Sequence, residues 1–191
     1  MHLYLTFAGP EKTFTPKEQH RMVWISLLRL LEEYAGNDQK GVELCTKKLL
    51  EMDDPAPSIS EKWGIVHEKK GKPVFAGKGD MFFNLSHCAY CTAAAVHDAP
   101  VGVDVERNFK WNRPLAKRIS TPEELAYLEQ IQDEEKRGLE LNRLWCRKES
   151  VIKCSGEGLG AELSSVPVLH MPGFREYQDR QITLCTYANA T

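Results

Sequence analysis

The sequence predicts an α+β fold, because a helical pattern followed by strand patterns occurs twice along the chain. Apolar residues recur at helical spacing from Trp24 to Tyr34 and again along residues 134–154. Residues 101–106 instead alternate between valine and small or acidic residues, which is typical of a strand. The 191 residues suffice for one large domain or for two packed halves.

The first part of the chain is predicted to contain strands on either side of two helices. A short strand covers residues 1–7, and a helix begins between Thr13 and Pro16 and ends at Gly36. A second helix covers about residues 38–52 and stops before a loop rich in aspartate and proline at residues 53–57. Further strands are predicted at residues 63–67, 81–86 and 90–97.

The second part of the chain is predicted to begin with the strand at residues 101–106. Helical patterns follow at about residues 114–119, 121–131 and 134–154. The second of these helices begins at Ser120-Thr-Pro-Glu-Glu124, which resembles a capping box. Two final strands are predicted at residues 163–169 and 180–187, and the latter alternates Ile182, Leu184 and Thr186.

Two carboxylates share one face of the strand at residues 101–106. Asp104 and Glu106 lie about 6.5–7 Å apart at their Cα atoms, given a rise of ~3.3 Å per residue. We expect them to face solvent, opposite the three valines of the strand. Such a pair is usually part of a solvated face, but at this spacing it can also bind one small cation.

The helix at residues 134–154 presents three functional side chains on one stripe. Trp145, Glu149 and Lys153 are spaced i, i+4, i+8. Glu149 followed by Lys153 could be an ordinary surface pair, worth ~0.2–0.5 kcal/mol to an exposed helix. Glu149 lies at the margin of the apolar face, however, and this position favours partial burial and a specific partner.

Together these segments resemble the 4'-phosphopantetheinyl transferases of the Sfp type. That family has a Gly-x-Asp-x-Glu strand followed by a Trp-x-x-Lys-Glu-Ser/Ala-x-x-Lys helix, and the chain has Gly102-Val-Asp-Val-Glu106 and Trp145-Cys-Arg-Lys-Glu-Ser-Val-Ile-Lys153. Four shorter family segments are Gln19-His-Arg21, Gly71-Lys-Pro73, Phe83-Asn-Leu-Ser-His87 and Gly156-Glu-Gly-Leu159. The resemblance covers roughly residues 15–165.

The resemblance implies a particular fold and domain division. Members of the family have two similar halves, each a helix with an antiparallel sheet, related by pseudo-twofold symmetry with the active site between them. The boundary would lie near Asp98-Ala-Pro100. Residues 1–99 would then form the adenosine and phosphate side of a coenzyme A site, and residues 100–191 would carry the metal and the catalytic helix.

The resemblance also implies a reaction. A transferase of this kind moves the 4'-phosphopantetheine arm of coenzyme A onto a serine hydroxyl of an acyl or peptidyl carrier protein, and releases adenosine 3',5'-bisphosphate. The family pattern makes Asp104, Glu106 and Glu149 the ligands of Mg²⁺, an ion that prefers oxygen ligands. Glu149 is also the candidate base, directly or through water, and Lys153 the candidate to neutralise or protonate the leaving phosphate.

Binding roles for coenzyme A follow from the same family pattern. Ser86 and His87 would contact the pyrophosphate, together with Lys153. The residues expected against the adenosine are Gly71, Lys72 and Pro73, and the residue expected at the 3'-phosphate is Arg21, with Lys17 as a weaker candidate nearby. Glu123 occupies a position where the family often has an acidic residue, and is a candidate helper near the metal.

Two other functions are compatible with parts of the sequence. The acidic residues could serve a metal-dependent pyrophosphohydrolase that uses water as the nucleophile. His87-Cys-Ala-Tyr-Cys91 could instead be part of a thiol-based zinc or redox module. A structural zinc site requires a second ligand pair of similar spacing, which is absent from the sequence. The residues after Cys91 also resemble a strand, whereas a redox motif precedes a helix.

Charge and hydrophobicity limit the expected partners. A net charge of −2 gives no support for nucleic-acid binding, and no apolar stretch approaches the ~20 residues of a membrane span. The N-terminal residues lack signal-peptide features, so a cytoplasmic location is expected. A monomer is expected as well. Five basic residues could form a docking surface for an acidic carrier protein or simply a solvated face: Arg107, Lys110, Arg113, Lys117 and Arg118.

Overall fold

The computed structural model describes residues 1–9, 11–37, 39–77, 79–158 and 162–188. The N-terminal elements are β1 (His2–Phe7), α1 (Pro16–Tyr34), α2 (Gln39–Leu50), α3 (Ala56–Trp63), β2 (Ile65–His67), β3 (Pro73–Phe75), β4 (Phe82–His87) and β5 (Cys91–His97). The C-terminal elements are β6 (Val101–Arg107), α4 (Arg113–Ile119), α5 (Pro122–Gln130), α6 (Glu134–Ser155), β7 (Phe174–Gln178) and β8 (Ile182–Ala188). Within these ranges no helix is long and apolar enough to cross a membrane.

Two three-stranded antiparallel sheets have the same strand order. In the sheet β1-β5-β4, β5 comes last in the sequence and lies in the centre, where it pairs with both β1 and β4. The order β6-β8-β7 repeats this arrangement, and β2 and β3 form a separate hairpin. Helices combined with antiparallel sheets confirm the α+β prediction. The predicted boundary falls in the turn between β5 and β6; the two-domain division and the pseudo-twofold symmetry stay predictions.

Small residues on β5 allow elements to pack closely on both of its faces. Ala94 and Val96 contribute to a core with the buried leucines of α1. Ala93 and Ala95 belong to a second core, which includes the three valines of β6. The two sheets are therefore joined through β5 and β6.

Helix α1 begins where the sequence predicts, because Thr15 and Glu18 form a capping box at its start.

Strand β6 is buried on both faces, so the expectation that Asp104 faces solvent is wrong. Val101, Val103 and Val105 pack towards the first sheet, as their alternation predicts. The opposite face is covered by α6, and Asp104 is only 2% exposed. Glu106, near the end of the strand, is half-buried.

Several other elements differ from the predictions. Helix α3 occupies residues assigned to a loop and the start of a strand, since proline is tolerated in the first turn of a helix. Gly64, with φ 64°, ends this helix, so β2 begins only at Ile65. The strands β3 and β7 were not predicted. Strand β7 consists mostly of exposed polar residues and lies at the edge of its sheet.

The strand predicted at residues 163–169 is wrong, and a buried ion pair explains why. Residues 163–165 form a 3₁₀ turn, and no strand is present before β7 in the described part of this segment. The Lys148 ammonium lies 2.7 Å from the Glu124 carboxylate and also donates to the carbonyls of Leu163 and Val166. Glu124 accepts the backbone N–H of Val168. These backbone groups bond to buried charges rather than to a neighbouring strand.

Loss of the Lys148 ammonium should strongly destabilise the fold. Lys148 and Glu124 are 0% and 1% exposed, so Lys148→Ala leaves a buried carboxylate without its counter-charge. We expect the free energy of unfolding to fall by about 3–5 kcal/mol in urea titrations. Lys136→Ala, at an exposed position of the same helix, is the control and should change stability by less than ~0.5 kcal/mol. Equal stability of the two variants would contradict this account.

Candidate active site

Gly102 in β6 lets the backbone of α6 come into direct contact with the backbone of the strand. A Cβ atom on Gly102 would lie 1.8 Å from the carbonyl oxygen of Ser150 and 2.7 Å from the amide nitrogen of Cys154. No larger residue fits unless α6 moves away. The resemblance assigned no role to Gly102. The structure shows that it allows α6 to cover the acidic face of β6.

Lys153, Asp104 and Ser86 form one connected polar cluster. The Lys153 ammonium lies 2.6 Å from Asp104 Oδ1 and 2.9 Å from Ser86 Oγ. The Ser86 hydroxyl donates to the same Asp104 oxygen over 3.1 Å and accepts the N–H of Val105. Its one donor and two acceptor positions are thus all used. Residues of β4, β6 and α6 thus meet at one point.

The two other carboxylates of the predicted set lie within electrostatic range of Asp104. Burial raises the pKa of Glu106 to about 7; the charge of Asp104 adds to this effect, and Lys153 opposes it. Burial, followed by the charge of Asp104, also raises the pKa of Glu149. The second Asp104 oxygen, Oδ2, is buried without a hydrogen-bond partner among the described residues. When ionised, these three carboxylates therefore carry more negative charge than the Lys153 ammonium can neutralise.

This donor set fits a hard divalent cation in its chemistry. Its members are all oxygen donors, the mutual repulsion of carboxylates is relieved by a cation, and Asp104 Oδ2 has no hydrogen-bond partner among the described residues. In the structure, the Lys153 ammonium forms an ion pair with the Asp104 carboxylate. No three His, Cys, Asp or Glu side chains in the described ranges are close enough to hold a metal. The roles of Asp104, Glu106 and Glu149 as ligands stay predictions.

A cleft of about 510 Å³ lies beside this cluster, between the two parts of the chain. One wall consists of the turn and strand residues Lys70, Gly71, Lys72, Pro73, Asn84 and Leu85. The other wall consists of Trp145, Glu149, Ile152, Lys153, Gly156, Gly158 and Leu163. The stripe predicted on α6 thus faces the same space as the Gly71-Lys-Pro73 segment. The volume is within the ~300–1,000 Å³ of typical small-molecule sites.

The residues predicted at the phosphates lie close to the start of α1. His87 Nδ1 is 2.9 Å from Gln19 Oε1, and the Gln19 amide nitrogen donates to the Phe14 carbonyl. This second bond orients the amide, so His87 Nδ1 is the donor and Nε2 carries the lone pair of the neutral ring. Burial, then the charges of Lys153 and His20, lower the pKa of His87.

The two cationic candidates on α1 differ in their partners. Arg21 Nε is buried and lacks a hydrogen-bond partner among the described residues. Lys17 is instead paired with Asp53 at 2.9 Å, at an exposed position. The roles of Arg21 and Lys17 at the 3'-phosphate stay predictions.

Two polar residues of β4 have a structural function that the sequence did not reveal. Asn84 Oδ1 accepts the N–H of Val103 over 2.9 Å, and Ser86 Oγ accepts that of Val105 over 3.1 Å. Both side chains are buried in an otherwise apolar strand. Polar residues at i and i+2 on a buried strand are the signal that could have identified this bridge.

The remaining candidates have other surroundings. Glu123 is exposed and contacts His170 at 3.2 Å, whereas the neighbouring Glu124 is the buried acid of this segment. Cys88 and Cys91 are buried free thiols. Burial raises the pKa of Cys88, and raises the pKa of Cys91 to about 12, the reverse of what a redox thiol requires. These pKa directions count against the redox alternative.

The five basic residues after β6 are only partly available. Arg113 is paired with Glu129 at 2.7 Å, and the Arg107 guanidinium lies 5.7 Å from the centre of the Tyr90 ring. Lys110, Lys117 and Arg118 are exposed. A docking role of this surface stays a prediction, and it would depend mainly on these three residues.

Comparison with known proteins supports the resemblance for the C-terminal part. Residues 100–187 match the model of the 4'-phosphopantetheinyl transferase superfamily. The chain is 34% identical over 101 residues to a 4'-phosphopantetheinyl transferase of Bacillus subtilis, covering 53% of this chain and 45% of that protein. It is 37% identical over 98 residues to one of Bacillus pumilus, covering 51% and 42%. It is 32% identical over 99 residues to one of Escherichia coli K12, covering 48% and 48%.

The chain spans about half the length of the curated relatives it matches. Relatives from three species are named for the enzyme class that the motifs indicated. The resemblance to Sfp-type 4'-phosphopantetheinyl transferases is thereby confirmed.

Gly102→Ala should disrupt the site through the backbone alone. The added methyl group overlaps the Ser150 carbonyl, so α6 must shift away from β6 at a cost of ~1–3 kcal/mol or more. We expect lower stability in urea titrations and a changed environment of Trp145 in tryptophan fluorescence. Gly79→Ala is the control, because a Cβ atom there has no neighbour within 4 Å. A Gly102→Ala protein as stable as the Gly79→Ala protein would refute the close-approach argument.

Proposed function

We propose, from the signature present in residues 100–187, that the chain transfers 4'-phosphopantetheine from coenzyme A to a serine hydroxyl of an acyl or peptidyl carrier protein. The observation that carries this proposal is the contact of Lys153 with Asp104 and Ser86 beside the cleft. It brings together one residue from each of three motifs that are distant in the sequence. The other product would be adenosine 3',5'-bisphosphate.

The cleft supports coenzyme A as the donor substrate. Its N-terminal wall contains the Gly71-Lys-Pro73 turn, which offers backbone and a proline ring to the adenosine. Its C-terminal wall contains Lys153, a cation suited to the pyrophosphate end, and Glu149, the proposed base. Ser86 and His87 follow along β4, and Arg21 on α1 is the proposed contact of the 3'-phosphate.

The chemistry requires a base for the serine and a cation for the leaving group. The carrier serine is a weak nucleophile at neutral pH. The Glu149 carboxylate, made more basic by burial, accepts the serine proton as the serine oxygen attacks the phosphorus that bears the pantetheine. The phosphorus–oxygen bond to adenosine bisphosphate breaks, and the Lys153 ammonium neutralises the charge that develops on the departing phosphate.

Mg²⁺, if held by the oxygens of Asp104, Glu106 and Glu149, would supply Lewis-acid stabilisation of the pyrophosphate charge. Asp104 also orients Lys153 through their 2.6 Å contact. Ser86 fixes both groups, because its hydroxyl bonds to each of them. These contacts support the proposed roles of Asp104 and Lys153.

An acidic carrier protein suits the exposed basic surface. Carrier proteins present their serine at the start of a helix among acidic residues. Three exposed basic residues that follow β6 in the sequence are Lys110, Lys117 and Arg118. Long-range attraction to such a surface raises association rates. We therefore expect salt to slow the reaction with the carrier more than the binding of coenzyme A.

Mass spectrometry of carrier proteins tests the proposed function directly. The protein, coenzyme A and Mg²⁺ are incubated with a panel of apo carriers, and one added phosphopantetheine is the expected product. Chelation of divalent ions should stop the reaction. Asp104→Asn, Glu106→Gln and Glu149→Gln should each lower kcat/KM at least ~100-fold, as loss of a general base or of charge stabilisation does. Isosteric amides are used because Asp104 is buried.

Two outcomes would contradict this function. Failure to modify any carrier across a broad panel would refute the transferase. Release of adenosine 3',5'-bisphosphate without modification of the carrier would instead identify a pyrophosphohydrolase that uses water as the acceptor. Full activity after chelation would refute the cation role of the three carboxylates.

Lys153 and Arg21 should separate chemistry from binding. Lys153→Met should mainly lower kcat, because its ammonium meets charge that develops in the transition state. Arg21→Gln should mainly raise the KM for coenzyme A, since a contact at the 3'-phosphate is nearly uniform binding. Steady-state kinetics with a saturating carrier protein measures both constants. An effect of Lys153→Met on KM alone would contradict the assignment of Lys153.

A further inference from the structure

The tip of the β2–β3 hairpin is a tight turn, Glu68–Lys72. The Glu68 N–H donates to the Lys72 carbonyl over 2.9 Å, and the Gly71 N–H donates to the Glu68 carbonyl over 2.8 Å. Gly71 has φ 83°, in the left-handed region that favours glycine. The hairpin pairs with neither three-stranded sheet, so its position depends on other contacts.

Two lysines of this turn bond to the last turn of α6 and to the segment that follows it. The Lys72 ammonium donates to the carbonyl of Lys153 over 2.7 Å and to that of Cys154 over 3.1 Å. The Lys70 ammonium donates to the carbonyl of Glu157 over 2.7 Å. The last carbonyls of a helix lack intrahelical partners and form the negative end of its dipole. Lys72 therefore satisfies two carbonyls that the helix leaves open, whereas Lys70 binds a carbonyl two residues beyond the helix.

These contacts connect the two walls of the cleft. Gly71 and Pro73 flank Lys72 in the N-terminal wall, while Lys153 and Gly156 belong to the C-terminal wall. Lys153 is held at both ends, because its ammonium contacts Asp104 and its carbonyl accepts from Lys72. Any movement of the hairpin turn away from α6 would open the cleft beside a residue assigned to the reaction.

We propose that Lys72, assisted by Lys70, is a positioning residue that holds the Glu68–Lys72 turn against the end of α6 and so sets the width of the coenzyme A cleft. The inference rests on the proposed function for its ligand. It changes the role expected for the Lys72 side chain, whose ammonium serves helix carbonyls. What the turn offers to the adenosine is then its backbone and the Pro73 ring.

The chain offers a matched control within the same turn. Lys69 is exposed and has no hydrogen bond or ion pair among the described residues, whereas Lys72 is half-buried. Burial lowers the pKa of Lys72, opposed by the nearby charge of Glu68, as expected for an ammonium enclosed between two elements. Lys70 is exposed and contacts one carbonyl, so its contribution should be smaller than that of Lys72.

Kinetics and hydrogen exchange of four variants test the proposal. Lys72→Met should raise the KM for coenzyme A about tenfold, the value of one charge-assisted hydrogen bond, with kcat within about twofold of wild type. It should also accelerate amide exchange of residues 65–75 in the protein without substrate. Lys70→Met should have a smaller effect of the same kind, and Lys69→Met none. Lys72→Arg keeps the donors and should restore most of the affinity.

A merely structural role of Lys72 would lower the folded fraction, and therefore the apparent kcat, without a change of KM. Wild-type exchange of residues 65–75 in Lys72→Met would overturn the proposal, as would an unchanged KM. A KM increase that disappears with 3'-dephospho-coenzyme A would show that Lys72 meets the 3'-phosphate, and would also overturn it. If the wild-type protein modifies no carrier, the proposed function fails, while the exchange measurement still decides whether Lys72 holds the turn.

Discussion

The close approach of α6 to β6 at Gly102 is the constraint on which the rest of the structure depends. It covers the acidic face of the strand and buries Asp104. Lys153 then reaches Asp104, and the two partly buried carboxylates acquire raised pKa values. A single residue without a side chain thus converts an ordinary amphipathic strand into a charged site of low solvent exposure. Burial of these carboxylates costs free energy, and it occurs at the residues to which the proposed chemistry is assigned.

Much of the site could be predicted because it depends on local spacing. The period of two placed Asp104 and Glu106 on one face, and the helical period placed Glu149 one turn before Lys153. The burial of Asp104 could not be predicted, because it depends on a helix more than forty residues later. Neither could the role of Gly102, since a close approach exists only once both partners are known. Asn84 gave a readable signal, as a polar residue on an apolar strand.

The errors in the fold prediction have a similar cause. Residues 163–169 contain apolar residues suited to a strand, but their backbone is bound by Lys148 and Glu124. Nothing local to the segment indicates this, because both charges come from other helices. Proline at the start of α3 suggested a loop although the first turn of a helix accepts it. The strand prediction thus failed because tertiary partners overrode a local preference, whereas the loop prediction misread a local signal.

The bridge from Asn84 and Ser86 to β6 has a consequence for association between molecules. Strand β6 lies at the edge of its sheet, and such an edge exposes unpaired N–H groups to which a strand of another molecule can add. Here the N–H groups of Val103 and Val105 are already bonded to side chains from β4. The two sheets meet at this edge without merging into one, and the edge is closed to intermolecular strand addition. The polar residues that organise the site thereby also block edge-to-edge association at β6.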